Sequence, residues 1–316
     1  MAYFKKIHPI LQVFIFAGIA AGCFLIIGTI GSLVLAGVTK IDIMSLSDPD
    51  KWDYSDPSML TFLRGMLIIQ FIALYIIPVF LFARLCDSKP ADYLGLRSAK
   101  ALYFILGAAV LVIALPFVDW TGTINRALIP ESTVLGRWMK SMEEDTAKQI
   151  AFMLKGQTIN DLVLNLVFVA VFAGVGEELF FRGVLQRLFI KTFKNPWAGI
   201  VLAAFIFSAI HLQFYGFIPR FILGILLGLI YWYSGSLWPA ILAHFVYDAL
   251  AVVVIYFNPS MANEEGVTTS FGNQTVLASG SLVIVTGIIL AMKLGSKTSY
   301  EMMYARDNID ESNPFT

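Results

Sequence analysis

Residues 159–190 read INDLVLNLVFVAVFAGVGEELFFRGVLQRLFI, an apolar run that carries Glu177, Glu178 and Arg182 in its interior. At about 1.5 Å of rise per residue the run exceeds the ~30 Å of hydrocarbon in a bilayer. The stretch therefore reads as a membrane helix with ionisable groups held inside it, and each such group costs several kcal/mol unless it is paired or used.

Working outward, the same texture recurs. Seven further apolar runs occupy Pro9–Val38, Ser58–Leu85, Ala101–Val118, Trp197–Tyr215, Phe217–Tyr233, Leu237–Phe257 and Val276–Met292. Together they predict an all-α fold, a polytopic transmembrane bundle of about eight membrane helices. Composition agrees: 58% of the 316 residues are hydrophobic and 14% are charged, against roughly 25% charged in an ordinary soluble domain. No sizeable soluble domain fits between the runs. The formal net charge of +0 leaves no basic surplus for nucleic acid. Cys23 and Cys86, in or at the end of apolar runs, are too few for a disulfide scaffold or a Cys-rich metal site. Lys5 and Lys6 precede an apolar run that continues to Val38, too long for a signal-peptide core, so a retained first membrane helix is expected.

Loop charge sets the expected topology. Arg84, Lys89, Arg97 and Lys100, and later Arg187, Lys191 and Lys194, mark cytoplasmic loops by the positive-inside rule. Asp42, Asp48, Asp50, Asp53 and Asp56, and later Glu264 and Glu265, mark outward ones. An integral protein of the cell (inner) membrane with both termini in the cytoplasm is expected. Residues 1–158 then hold three membrane helices and an amphipathic external segment. Residues 159–257 form a core of four membrane helices, 258–292 an external loop and the last membrane helix, and 293–316 a disordered cytoplasmic tail. Within Asp119–Thr158, Leu135, Trp138, Met139, Met142, Ile150, Met153 and Leu154 recur at helical spacing. They predict an interfacial amphipathic helix or one packed on top of the bundle. The pairs Gly18/Gly22 and Gly224/Gly228 are expected to let helices approach closely, and Arg64 to snorkel toward the surface.

The deep ionisable set is short: Glu177, Glu178 and Arg182, then His211, then His244 and Asp248. The chain has three histidines, and His8 lies in the N-terminal flank. Counted from Asn195-Pro196, Glu177 lies about 28 Å along one helix and His211 about 22 Å along the next. His244 and Asp248 lie only about 12 and 18 Å beyond Ser236, a looser match. Glu178 and Arg182 stand at i,i+4 and can neutralise each other. Glu177, rotated about 100° away, is the carboxylate left to act as a base. His244 and Asp248 also share a face. The chemistry expected is activation of a water by Glu177 and His211 for attack on a carbonyl, with His244 and Asp248 stabilising the oxyanion. Because the Asn195-Pro196 turn and the entry to His244's helix lie on the Lys/Arg-rich side, the site is expected to open there.

Three motifs carry a family resemblance. Gly176-Glu177-Glu178-Leu179-Phe180-Phe181-Arg182-Gly183 resembles the Glu-Glu-x-x-x-Arg motif of the CAAX protease and bacteriocin-processing family, intramembrane endopeptidases of the Ras-converting-enzyme type. Phe207-Ser208-Ala209-Ile210-His211 resembles its Phe-x-x-x-His motif, and the end of Ser236–Asp248 resembles its His-x-x-x-Asn motif, with Asp248 in place of the commoner Asn. The likeness covers roughly Val163–Val254. It implies Glu177 as base, His211 as its partner on the water, His244 and residue 248 as the oxyanion site, and Glu178, Arg182 and Phe207 in support. It also implies membrane-associated or lipidated protein or peptide substrates: prenylated termini, peptide precursors, or bacteriocins met in self-immunity. Zinc on Glu177, His211 and His244 is the metal alternative. The metal-free route is favoured, because no His-Glu-x-x-His pair is present and Glu177 cannot easily be both ligand and base. Two readings of other classes compete, a proton-coupled transporter and a non-catalytic membrane scaffold. The first would call for paired repeats, and the sequence has none.

Overall fold

The computed structural model describes residues 3–4, 6–44, 52–54, 56–156, 158–259, 261 and 273–296. Among the described residues the chain forms ten helices: α1 (Pro9–Thr39), α2 (Pro57–Cys86), the single turn α3 (Pro90–Tyr93), α4 (Ala101–Ala127), α5 (Val134–Leu154), α6 (Ile159–Phe193), α7 (Pro196–Ala209), α8 (Phe217–Ser234), α9 (Leu237–Phe257) and α10 (Gln274–Gly295). Seven of them, α1, α2, α4, α6, α8, α9 and α10, are long and apolar enough to cross a membrane. The protein is an integral membrane protein with a polytopic all-α bundle. Lys5, Asp48, Asp50, Glu264, Glu265 and the tail from 297 to 316 lie outside the described residues.

The eighth run departs from expectation. Trp197–Tyr215 supplies only the 14-residue α7, about 21 Å long. It stops at Ala209, and two residues past the Ile210 cap Leu212 takes a left-handed backbone at φ 55°, which ends a right-handed helix. Residues 210–216 are consequently a loop.

Helix starts follow the local chemistry. Asp56 and Asn195 each cap a helix whose first residue is proline. Thr158 and Asp161 form a reciprocal capping box at α6, and Ser236 and Asn273 cap α9 and α10. Packing then sets depth. α4 lies along α8, α9 and α10, and α7 lies between α6 and α8. The turn before α9 is docked inside the bundle, where Leu237 N–H donates to Gly95 O at 2.8 Å and the Leu237 side chain lies against Gly183. α9 thus begins level with Gly183, about 15 Å up α6 from Phe193. That recess resolves the loose depth match of His244, whose helix does not start at the height of Pro196.

The two glycine pairs part company. A Cβ at Gly224 would lie 2.9 Å from Ala204 Cβ, and one at Gly228 would lie 2.7 Å from Gln186 Oε1 and 2.9 Å from Ile200. These glycines do seat α8 on α6 and α7. Gly18 and Gly22 have nothing within 4 Å of such a Cβ, so they bring no described helix closer. Arg64 does not snorkel: its guanidinium reaches across to α6, 3.3 Å from Asp161 Oδ1 and 3.1 Å from Asn165 Oδ1. The amphipathic segment forms α5, which leaves Leu135 and Trp138 exposed and turns Glu143 inward.

These contacts predict a contrast between two substitutions of the same kind. Gly228→Ala should lower the thermal midpoint of the detergent-solubilised protein, an overpacking loss of about 1–3 kcal/mol, whereas Gly22→Ala should leave it in place. Equal midpoints for the two variants would refute the packing assigned to α8.

Candidate active site

The site begins on α6. Its α-helical stretch Phe172–Glu178 passes at once into a π-helical stretch, Leu179–Gln186, a widened turn often found where helices carry function. Beside it Gly176 admits the Tyr75 ring, since a Cβ there would lie 2.7 Å from the ring edge. Glu178 and Arg182 are fully buried and paired at 2.6 Å through Oε1. Arg182 also donates to Gly224 O at 3.1 Å and lies 4.7 Å above the centre of the Phe207 ring. The expected ion pair is therefore present and engages α7 and α8 as well.

Glu178 does more than neutralise Arg182. The same Oε1 accepts a hydrogen bond from His244 Nδ1 at 2.8 Å, which fixes the ring with Nε2 directed away from Glu178. His244 Nε2 lies 3.4 Å from Asp248 Oδ2 and 3.8 Å from Glu177 Oε2. On the other side, Glu177 Oε1 lies 3.8 Å from His211 Nε2. His211 Nδ1 sits 2.6 Å from Phe207 O. A carbonyl can only accept, so Nδ1 carries the hydrogen and Nε2 of the neutral ring keeps its lone pair. Phe207 meets both imidazoles edge-on, with ring centres 5.0 Å from His211 and 6.2 Å from His244.

The structure thus brings together Glu177, Glu178, Arg182, Phe207, His211, His244 and Asp248, drawn from α6, α7, α9 and the loop after α7. Glu177 stands between two imidazoles at separations too long for direct hydrogen bonds and suited to a bridging water. Among the described residues no group of three or more His, Cys, Asp or Glu side chains is arranged to hold a metal ion.

Two features escaped the sequence reading, Arg220 and the contact of α5 with the site. Arg220, in the first turn of α8, donates to Gln213 Oε1 at 2.6 Å and lies within electrostatic reach of Glu177 and Asp248. Its position inside an apolar run was the signal that could have placed it among the deep charges. The second is the contact with α5. His211 belongs to the loop at the far end of α7 from Asn195-Pro196, and α5 touches that loop through Glu143 and Tyr215. The site therefore sits toward the α5 end of the bundle.

Comparison with known proteins places this geometry. Residues 159–250 match the family model described as type II CAAX prenyl endopeptidase, Rce1-like. The chain is also similar to an uncharacterised protein, YpbD, of Bacillus subtilis (strain 168), with 32% identity over 97 residues. That stretch covers 29% of this chain and 47% of the relative, so the chain spans about half the length of the curated relative it matches. No solved structure matches the chain. The matched residues take in all three motifs and every side chain of the Glu177 cluster, so over this stretch the chain is similar to the Rce1-like type II CAAX prenyl endopeptidases.

Proposed function

We propose that the protein is an intramembrane endopeptidase that hydrolyses a peptide bond of membrane-associated or lipidated substrates with a water activated by Glu177 and His211. The observation that carries this reading is the pair of 3.8 Å gaps between the two oxygens of Glu177 and the Nε2 atoms of His211 and His244. One water fits between Glu177 and His211, donating one hydrogen to the carboxylate and one to the His211 lone pair, with its own lone pair free to attack.

The steps balance on these groups. Glu177 removes a proton as the water oxygen bonds to the scissile carbonyl carbon, and the carbonyl oxygen becomes an oxyanion. His244 Nε2 and Asp248 face that oxygen. A carboxylate there would repel it, so a proton shared between His244 Nε2 and Asp248 Oδ2 supplies the donor. Glu178 holds the His244 ring from behind, in the manner of the carboxylate that orients histidine in a hydrolase triad. Collapse of the intermediate breaks the C–N bond, and Glu177 returns its proton to the departing amine. On the lipid side, an apolar groove of about 370 Å³ between α4, α6 and α9, lined by Phe104, Val175, Trp238 and Phe245, offers room for an apolar substrate chain.

The direct test is cleavage of a farnesylated C-terminal peptide by purified protein in liposomes, beside a comparison of membrane-protein termini in cells carrying the active chain or Glu177→Ala. Glu177→Gln and His211→Ala should abolish cleavage while the proteins stay folded. Full activity of folded Glu177→Gln would remove Glu177 as base. Glu178→Ala should impair folding by about 3–5 kcal/mol, because it leaves Arg182 buried without its partner, and should also free the His244 ring.

Residue 248 separates two mechanisms. If it donates to the oxyanion, Asp248→Asn supplies a permanent donor and activity should persist or rise, while Asp248→Ala should lose on the order of 10²–10³ in turnover. A folded but inactive Asp248→Asn protein would overturn the donor role.

A further inference from the structure

His211 is the one member of the cluster that no helix carries. Its ring is anchored on Phe207 O at 2.6 Å, and the backbone that carries it continues into the loop of residues 210–216, which contains the left-handed Leu212. Such a backbone persists only where its surroundings over-determine it. At membrane depth, moreover, the polar groups of a loop must find partners inside the protein.

One side chain answers three of those groups at once. Asn125, in the last turn of α4 and 5% exposed, donates through Nδ2 to Phe214 O at 2.6 Å and to Tyr215 O at 2.7 Å. Its Oδ1 accepts from Ile218 N–H at 3.1 Å. Both amide hydrogens are used, and two facing carbonyls and one facing N–H admit a single orientation of the amide. Asn125 therefore ties the end of the loop to the first turn of α8. Other groups hold the same segment at single points: Ser208 Oγ on Phe217 O at 2.7 Å, Glu143 Oε2 on Tyr215 N–H at 3.3 Å and Glu131 Oε1 on the Tyr215 hydroxyl at 3.0 Å. Asn125 alone among them binds both carbonyls and the following N–H.

We propose that Asn125 is a positioning residue for His211: by fixing the 214–218 backbone it holds the imidazole at water-bridging distance from Glu177. The proposal rests on the reading of His211 as partner of Glu177 on the water. It places a determinant of the reaction outside residues 159–250, on a helix that carries none of the motifs. A shift of about 1 Å in the His211 to Glu177 gap would spoil the seat of the water, a misplacement of the size that can cost on the order of 10²-fold in rate.

Asn125→Asp, equal in size, turns an oxygen toward the two carbonyls, and Asn125→Ser is a second variant should the first fold poorly. Both are compared with the wild-type chain in liposomes on a farnesylated peptide, with hydrogen exchange followed in peptides covering 210–218 and α9. The expected result is a fall in kcat of about 10–100-fold with KM within about threefold, faster exchange at 210–218 and unchanged exchange in α9. Faster exchange with an unchanged kcat would overturn the proposal, since the clamp would then be structural only. So would a loss of activity that merely follows the unfolded fraction. A wild-type chain that does not cleave, or a Glu177→Gln variant that does, would remove the hydrolytic reading itself and leave the exchange result to stand as packing.

Discussion

A carboxylate and a guanidinium placed in hydrocarbon must satisfy each other, and the Glu178–Arg182 pair does so at a cost that shapes everything around it. One oxygen, Glu178 Oε1, takes both Arg182 and His244, while Oε2 has no hydrogen-bond partner among the described residues. Arg182 spends its remaining capacity on Gly224 O and the face of Phe207. α6, α7, α8 and α9 are thereby tied to one charge pair, and the glycines of α8 are there because their helix has to come close enough to offer a carbonyl. Glu177, the carboxylate proposed as the base, is the neighbour this pair leaves out.

Much of this was legible in the sequence, for a physical reason. Lipid removes the ambiguity that water allows, so an apolar run means a helix, and a charge inside it means a partner. The i,i+4 spacing of Glu178 and Arg182, and of His244 and Asp248, survives because neighbours on one helix face are a local property. What escaped is nonlocal. Nothing in Leu237–Phe257 tells that its first residue docks on Gly95 and Gly183, so His244 looked too shallow. The termination of α7 is hidden as well, because Ile210 and Leu212 are apolar residues that an uninterrupted helix would carry equally well. Gly18 and Gly22 show the converse, a spacing that permits close approach where no partner arrives.

The division of labour between the two glutamates follows from geometry and not from residue type. Both lie on α6 at the point where it widens into π-helical turns. One faces the bundle's cation and an imidazole it orients, and the other faces the gap between two imidazoles. Their roles cannot be exchanged by swapping side chains that are already identical; the difference lies in which direction the backbone turns each one.

The brevity of α7 bears on how water would reach the site proposed above for hydrolysis. A helix of about 21 Å cannot match a hydrocarbon slab of ~30 Å, and a bilayer meets such mismatch by thinning locally, at a modest cost per ångström. A bilayer that thinned along this edge would bring its headgroups toward the loop that carries His211. Hydration would follow the headgroups, so such a dip would set the Glu177–His211 cluster a short diffusion path from the aqueous phase, while the longer helices on the other flanks span a full thickness of oil.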